Sequence, residues 1–499
     1  MMGRKRQSGI LLHITSLPSD YGVGTLGKEA YQFVDWLHES GMTIWQVLPL
    51  VPTNYGDSPY QSVSSTALNY YMLDFDILES KGLLKKEEYE HEFFSYMPTK
   101  VEFSILFTKK LDILRRAFKR FSTEDPKFIS FVSKKEAEDF AVFMTLKALH
   151  QYQAWPHWEK KFKNYSKELV DWVIENKKQE FLFWIWTQYE FLEQWEPLHQ
   201  YASKKNVQIM GDMPLYVAYD SVEVWKNPEM FLLSDDKKLK LVAGCPPDGF
   251  TEDGQLWGNP VYNWSYLKST NYKWWNTRIQ KAFGLVDILR IDHFRGFDRF
   301  YAIPAGDINA KNGFWLDGPK IDLFKDKLDM NIVAEDLGVI DDGVRILMKQ
   351  TGYLGMKILE FAFDGYPYNE HKPSNYTENY IVYTGTHDNM PLYAYIEELD
   401  EKAFEIYKKD LQNEGELLGL DLSLKNISMI VDSVVELAFA SKASICILPM
   451  QDLLKQGAWS RMNLPSTVST DNWSYRIVPS DLSESLKKRL QEYNLKYNR

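Results

Sequence analysis

Eight short apolar runs recur along the chain, at 9–14, 43–50, 207–213, 286–291, 331–334, 356–363, 380–384 and 444–448. Each is continuous and only four to eight residues long, the pattern of a strand buried on both faces. Between them the spacing changes to a helical period. After the first run, Ala30, Phe33, Val34 and Leu37 fall at i, i+3, i+4 and i+7, and Gly41 stands at the position of a helix C-cap. Buried strands alternating with helices predict an α/β protein, a closed parallel (β/α)8 TIM barrel.

Two gaps are too long for a simple crossover. Residues 80–205, between the second and third runs, carry charged amphipathic segments and predict a mainly helical insertion. Within it Phe103, Phe107, Leu114, Phe118 and Phe121 mark one face. Trp184, Trp186 and Trp195 lie on a helical run and read as core. Residues 214–285, between the third and fourth runs, are rich in Pro, Gly and Asp and predict a loop-rich insertion. Residues 1–499 thus form a single catalytic barrel domain, and too little chain follows the eighth run for a C-terminal β-domain.

Barrel enzymes place their chemistry where strands end. The fourth run ends Arg290-Ile291-Asp292-His293, the fifth Ala334-Glu335-Asp336 and the seventh Thr386-His387-Asp388-Asn389. Carboxylates leaving three strands at the same end point to glycoside cleavage. A retaining enzyme sets a carboxylate nucleophile and a carboxylic acid roughly 5–5.5 Å apart. The acid must keep its proton near neutral pH. Arg290 is two residues from Asp292, so the two side chains leave the strand on one side, and a guanidinium there favours the ionised Asp292. A metal site built from Asp292, His293, His387 and Asp388 is the rival reading. Barrel metallohydrolases add a His-x-His pair on the first strand, and here that strand gives His13-Ile14-Thr15. The metal reading is therefore the weaker of the two. The run Gly22-Val23-Gly24-Thr25-Leu26-Gly27 matches a dinucleotide fingerprint, but no tight turn precedes it and no acidic residue ends the second run, so it reads as a glycine-rich turn.

Composition narrows the partners. A net charge of −11 disfavours nucleic acid and anionic membrane. Aromatic residues make up 15% of the chain, with 16 Trp and 30 Tyr, enough to supply flat faces for sugar rings as well as a core. Two cysteines, Cys245 and Cys446, cannot build a disulfide framework. The chain opens Gly3-Arg4-Lys5-Arg6 before a short apolar run at 10–12 that is too brief for a signal-peptide core, and no apolar stretch approaches membrane-spanning length. The reading is a cytoplasmic protein without a membrane partner.

At its longest motifs the chain resembles the amylomaltases, or 4-α-glucanotransferases, of the α-amylase clan. The resemblance runs from about residue 9 to 477. It is carried by Thr15-Ser16-Leu17-Pro18, Trp45-Gln46-Val47-Leu48-Pro49-Leu50, Gly56-Asp57-Ser58-Pro59-Tyr60-Gln61-Ser62, Gly211-Asp212-Met213-Pro214, Gln255-Leu256-Trp257-Gly258-Asn259-Pro260 and the three strand-end motifs. It implies Asp292 as nucleophile, Glu335 as general acid/base and Asp388 as the carboxylate that stabilises the distorted sugar. It implies that Arg290, His293 and His387 line the subsite of the attacked glucose, and that Ser58, Tyr60, Gln255, Trp257, Asp336, Asp364 and Asn463 touch the glucan. The implied partners are α-1,4-glucans, maltooligosaccharides and glucose, and the resemblance implies no metal and no organic cofactor. The family usually has Gly where Ser466 stands and Trp where Tyr475 stands. An α-amylase-like hydrolase with the same carboxylates is the alternative; amylases usually carry an Asn-His pair where this chain has Gly211-Asp212-Met213-Pro214. A glucan-binding protein without catalysis would need none of the three carboxylates.

Overall fold

The computed structural model describes residues 5–54, 56–247 and 252–499. Gly3 and Arg4 of the basic start, and the middle of the second insertion, lie outside it.

Eight parallel strands form one sheet: β1 (Gln7–Leu11), β2 (Ile44–Gln46), β3 (Gln208–Met213), β4 (Ile288–Ile291), β5 (Ile332–Ala334), β6 (Gly355–Ile358), β7 (Tyr380–Tyr383) and β8 (Ile445–Pro449). Their order is β6-β7-β8-β1-β2-β3-β4-β5. A parallel bridge between Val333 and Leu354 joins β5 to the start of β6 and closes the barrel. The strands are buried almost throughout, which is why they read as unbroken apolar runs rather than alternating ones.

Several strands are shorter than their apolar runs. The second run continues to residue 50, yet β2 stops at Gln46, and the sixth continues to residue 363, yet β6 gives way to a 3-10 turn at Leu359–Phe361. Val47, Leu48, Leu50, Leu359 and Phe363 are apolar because they are buried under the barrel mouth, not because they pair. Burial and pairing leave the same mark on a sequence.

The first helix, α1 (Lys28–Glu39), buries Ala30, Phe33, Val34 and Leu37, and the chain leaves it through Gly41 at φ +76°. The segment before the third strand holds helices Phe103–Arg120, Pro126–Ser133, Glu138–Leu149, Lys167–Asn176 and Lys178–Lys204. Phe103, Leu114 and Phe118 face the core as predicted, but Phe107 is 37% exposed and meets Tyr152 edge-on at 4.9 Å. Trp184, Trp186 and Trp195 are buried.

The prediction of loops for 214–285 missed an antiparallel sheet of four strands, Leu241–Cys245, Gln255–Pro260, Arg299–Pro304 and Phe314–Asp317, paired in the order 255–260, 241–245, 299–304, 314–317. Half of it comes from the second insertion and half from the β4–β5 connection. Each half is a sequence-local antiparallel pair, and only the pairing of 241–245 with 299–304 joins the halves across β4, a contact that leaves no local signal.

The glycine-rich turn after β1 is a packing device. A Cβ on Gly24 would stand 1.9 Å from the Ile14 carbonyl oxygen, a backbone atom that cannot rotate away. Gly24→Ala should therefore cost on the order of 1–3 kcal/mol, read as a lower urea midpoint with an unchanged slope. A midpoint equal to wild type would show that this turn tolerates a side chain.

Candidate active site

The site grows from one buried cation. Asp212 and Arg290 are direct register partners on β3 and β4, so their side chains point together into the barrel. Arg290 Nη1 donates to both oxygens of Asp212, at 2.7 and 2.6 Å, and lies 3.1 Å from Asp292 Oδ1. Tyr60 Oη donates to Asp212 Oδ2 at 2.7 Å. Asp212 has no exposed side chain, whereas Asp292 retains 27% and Asp388 46% exposure. The first carboxylate is a buried counter-ion; the other two face open space at the barrel mouth.

The three strand-end carboxylates sit in different settings. Burial pushes Asp292 upward, Arg290 pulls it back, and Asp212 and Asp388 push it up again. Burial and then the Asp292 charge push Glu335 up, with only partial relief from Arg290. Asp292 touches a cation and Glu335 does not, so Glu335 holds the shared proton more firmly. Glu335 Oε2 accepts from the His293 N–H at 2.5 Å and Oε1 from the Leu337 N–H at 3.1 Å. His293 achieves this at φ +47°, a left-handed conformation uncommon outside glycine and found at functional turns. Its ring meets Trp257 edge-on at 4.8 Å, and burial lowers its pKa to about 3, so the imidazole is neutral. Nε2 is buried and takes no partner from the protein.

Asp388 lies on the loop after β7. Asn463 Nδ2 donates to its Oδ1 at 2.6 Å, Arg461 Nη2 donates to its carbonyl at 2.6 Å, and the Asn463 N–H donates to the His387 carbonyl at 3.1 Å. The His387 ring is stacked on Tyr60 at 4.9 Å and 8°; burial lowers its pKa. Tyr60, His387, Asp212, Arg290, Asp292, Asp388 and Asn463 are therefore one connected group. Trp257 Nε1 donates to Gln255 Oε1 at 2.9 Å, so these two residues of the small sheet reach the group through His293. Ser58 Oγ accepts from the Tyr60 N–H at 3.2 Å.

Two predicted residues stand apart. Asp336 Oδ1 accepts from the Met356 N–H at 2.6 Å, fastening β5 to β6, and burial pushes its carboxyl up to about 6. Asp364 lies on an exposed loop, where Oδ1 accepts from the Tyr366 N–H at 2.9 Å. Conversely, sequence reasoning passed over Glu360, Asn389 and Arg461, all packed behind Asp388. Glu360 stood inside a predicted strand, and a lone acid within an apolar run was the available signal. Ser466, where the family has Gly, has φ +61°, the region that glycine enters freely. Among the described residues, no three His, Cys, Asp or Glu side chains are grouped to hold a metal ion, and no helix is long and apolar enough to cross a membrane.

Known proteins resemble this chain over nearly its whole length. A family model described as 4-alpha-glucanotransferase matches residues 12–481. A 4-alpha-glucanotransferase of Clostridium butyricum is 41% identical over 98% of this chain and 100% of its own length. One from Thermus thermophilus is 38% identical over 97% of each chain. The solved amylomaltase of Streptococcus agalactiae, in complex with acarbose, superposes with a TM-score of 0.93 at 41% identity, covering 99% of this chain and 100% of that one. The amylomaltase of Corynebacterium glutamicum shares the fold, with a TM-score of 0.77 at 19% identity over 99% of this chain and 74% of its own. Full-length matches at this identity, on a barrel whose mouth gathers Asp292, Glu335 and Asp388, make the chain a member of the 4-α-glucanotransferase family.

Proposed function

We propose that this 4-α-glucanotransferase works by retaining double displacement. Asp292 attacks the anomeric carbon while Glu335 gives its proton to the departing sugar oxygen. The glycosidic C–O bond breaks, and an ester to Asp292 forms. An acceptor hydroxyl then passes its proton to the Glu335 carboxylate and attacks the same carbon, and Asp292 leaves. Asp388, held by Asn463 and braced by Arg461, grips the hydroxyls of the distorted ring. The observation that carries this reading is the unequal setting of two neighbouring carboxyls: Arg290 contacts Asp292, and among the described residues no Lys or Arg pairs with Glu335.

His293 suits the same subsite, because its neutral ring has an unengaged Nε2 for a sugar hydroxyl. Trp257, Gln255, Tyr60 and Ser58 supply the aromatic and polar surface that orients an acceptor. Asp336 and Asp364 have oxygens engaged by backbone N–H groups, and we assign them no part in the chemical step. The partners are α-1,4-glucans, maltooligosaccharides and glucose. The acarbose complex of the Streptococcus agalactiae relative supports a ligand of oligosaccharide type. The charge of −11 is unfavourable for nucleic acid or anionic membrane as partners, and we assign the protein to the cytoplasm.

Asp292→Asn should keep the fold and lose activity by several orders of magnitude, because an amide cannot form the ester. Retention of more than about a tenth of wild-type turnover, roughly 1.4 kcal/mol of barrier, would remove Asp292 from the nucleophile role.

Glu335→Gln should be rescued by α-glucosyl fluoride, whose leaving group departs without protonation. A glucosyl-enzyme should accumulate, visible as added mass on Asp292. Wild-type kcat/KM should fall at alkaline pH, above the ordinary glutamate range, as Glu335 loses its raised proton. The variant acting on the fluoride should lack that limb. A fluoride reacting no better than maltotriose, relative to wild type, would exclude Glu335 as the acid.

Maltotriose should give glucose and a ladder of longer oligosaccharides with little net gain of reducing ends. Water stands at about 55 M, and an oriented hydroxyl can reach an effective molarity of roughly 10⁵ M or more, enough to prevail. Labelled glucose should enter the longer products. Reducing ends rising in step with donor loss would mark a hydrolase instead.

A further inference from the structure

Behind Asp388 lies a carboxylic acid with no place in the proposed mechanism. Glu360 follows β6 and is 8% exposed. It makes one side-chain hydrogen bond: Asn389 Nδ2 donates to Oε1 at 2.8 Å. Oε2 is buried without a hydrogen-bond partner among the described residues. Arg461, the cation acting on this carboxyl, is committed elsewhere, through Nε to the Asn463 carbonyl at 2.8 Å and through Nη2 to the Asp388 carbonyl at 2.6 Å. A buried acid without an ion pair is costly to keep, and here the return is a single oriented amide.

The orientation of that amide is dictated by backbone chemistry. The Thr386 N–H can only donate, and it points at Asn389 Oδ1 at 2.9 Å. The Thr386 hydroxyl joins the same oxygen at 2.8 Å. Oδ1 must therefore face Thr386, and Nδ2 must face Glu360, which must accept. Thr386 Oγ1 in turn accepts from the Asp388 N–H at 3.3 Å. The chain of contacts runs from Glu360 through Asn389 and Thr386 to the backbone of the residue that we assign to the sugar.

We infer that Glu360 is a positioning residue, which fixes the Asn389 amide and through it the turn that presents Asp388 to the substrate. Burial, with Asp452 adding to it and Asn389 and Arg461 opposing it, pushes the Glu360 carboxyl up to about 8. Near neutral pH it is then chiefly the uncharged acid, whose carbonyl oxygen takes the amide. Glutamine offers the same acceptor in the same shape. Alanine offers none and leaves Nδ2 unpaired, free to draw the amide away from Thr386. The effect belongs to turnover rather than to donor affinity, because Asp388 grips the ring most strongly when it is distorted.

The inference rests on the assignment of Asp388, and the test separates the two. Steady-state kcat and KM for maltotriose disproportionation are measured on the full chain for Glu360→Ala, Glu360→Gln, Asn389→Ala, the Glu360→Ala/Asn389→Ala double variant and Asp388→Asn, with thermal unfolding as a control. Glu360→Ala should lower kcat about tenfold or more with KM within about twofold, and Glu360→Gln should keep kcat within about threefold of wild type. Asn389→Ala should resemble Glu360→Ala, and the double variant should be no slower than Asn389→Ala alone, since both break one relay. Wild-type turnover in Glu360→Ala, losses that multiply in the double variant, or a Glu360→Gln as slow as the alanine variant would each overturn the inference. If Glu360→Ala does not fold, Asn389→Ala reads the same contact from its more exposed end, and wild-type turnover there overturns it equally. Loss in Glu360→Ala together with an active Asp388→Asn would instead refute the role of Asp388.

Discussion

The mouth of this barrel depends on burying Arg290. A guanidinium inside a barrel is tolerable only if its charge is answered at once, and the answer comes from Asp212, its register partner on β3, and from Asp292, two residues further along its own strand. Asp212 is wholly enclosed and serves as the permanent counter-ion. That leaves Asp292 partly exposed and free to meet a ligand while still feeling the cation. Tyr60 closes the arrangement, because its hydroxyl completes Asp212 and its ring stacks on His387. Truncation of Arg290 would thus disturb the loops after β2, β3, β4 and β7 together.

How much of this was legible beforehand differs by level. The eight strands could be read because both faces of each are buried, which turns them into continuous apolar runs. Asp292, Glu335 and Asp388 stood out as acids at the ends of those runs. Where runs outlast strands, as at Val47 to Leu50, the sequence records burial and is silent on pairing. The four-stranded sheet could not be read as one unit because its two local strand pairs meet only across β4. The support behind Asp388 was hidden for a related reason: Glu360, Asn389 and Arg461 come from three separate loops, and nothing local marks them as neighbours. Asp336, which the family resemblance sets against the glucan, neighbours Glu335 in sequence, yet alternation along the strand turns its Oδ1 to the β6 backbone.

The spacing that retaining chemistry needs follows from the barrel itself. Adjacent strands lie about 4.8 Å apart, and a nucleophile and acid for retention stand roughly 5–5.5 Å apart, against 6.5–9.5 Å for inversion. Carboxyls at the ends of neighbouring strands meet the first condition with little help, and β4 and β5 are neighbours. Their ends are also lashed together: the Glu335 N–H donates to the Ile291 carbonyl, the Phe294 N–H to the Glu335 carbonyl, and the His293 N–H to the Glu335 side chain. The left-handed His293 is what lets consecutive residues after Asp292 turn their N–H groups toward β5. Asp292 and Glu335, the pair we propose to make and break bonds, are therefore held by main chain, whereas Asp388, on the loop after β7, is held by side chains from separate loops. In the proposed mechanism, barrel geometry sets the distance between nucleophile and acid, while the loops behind β6, β7 and β8 set how firmly the sugar is gripped. Loop variation can then alter the grip and the acceptor surface without moving the two reacting carboxyls relative to each other.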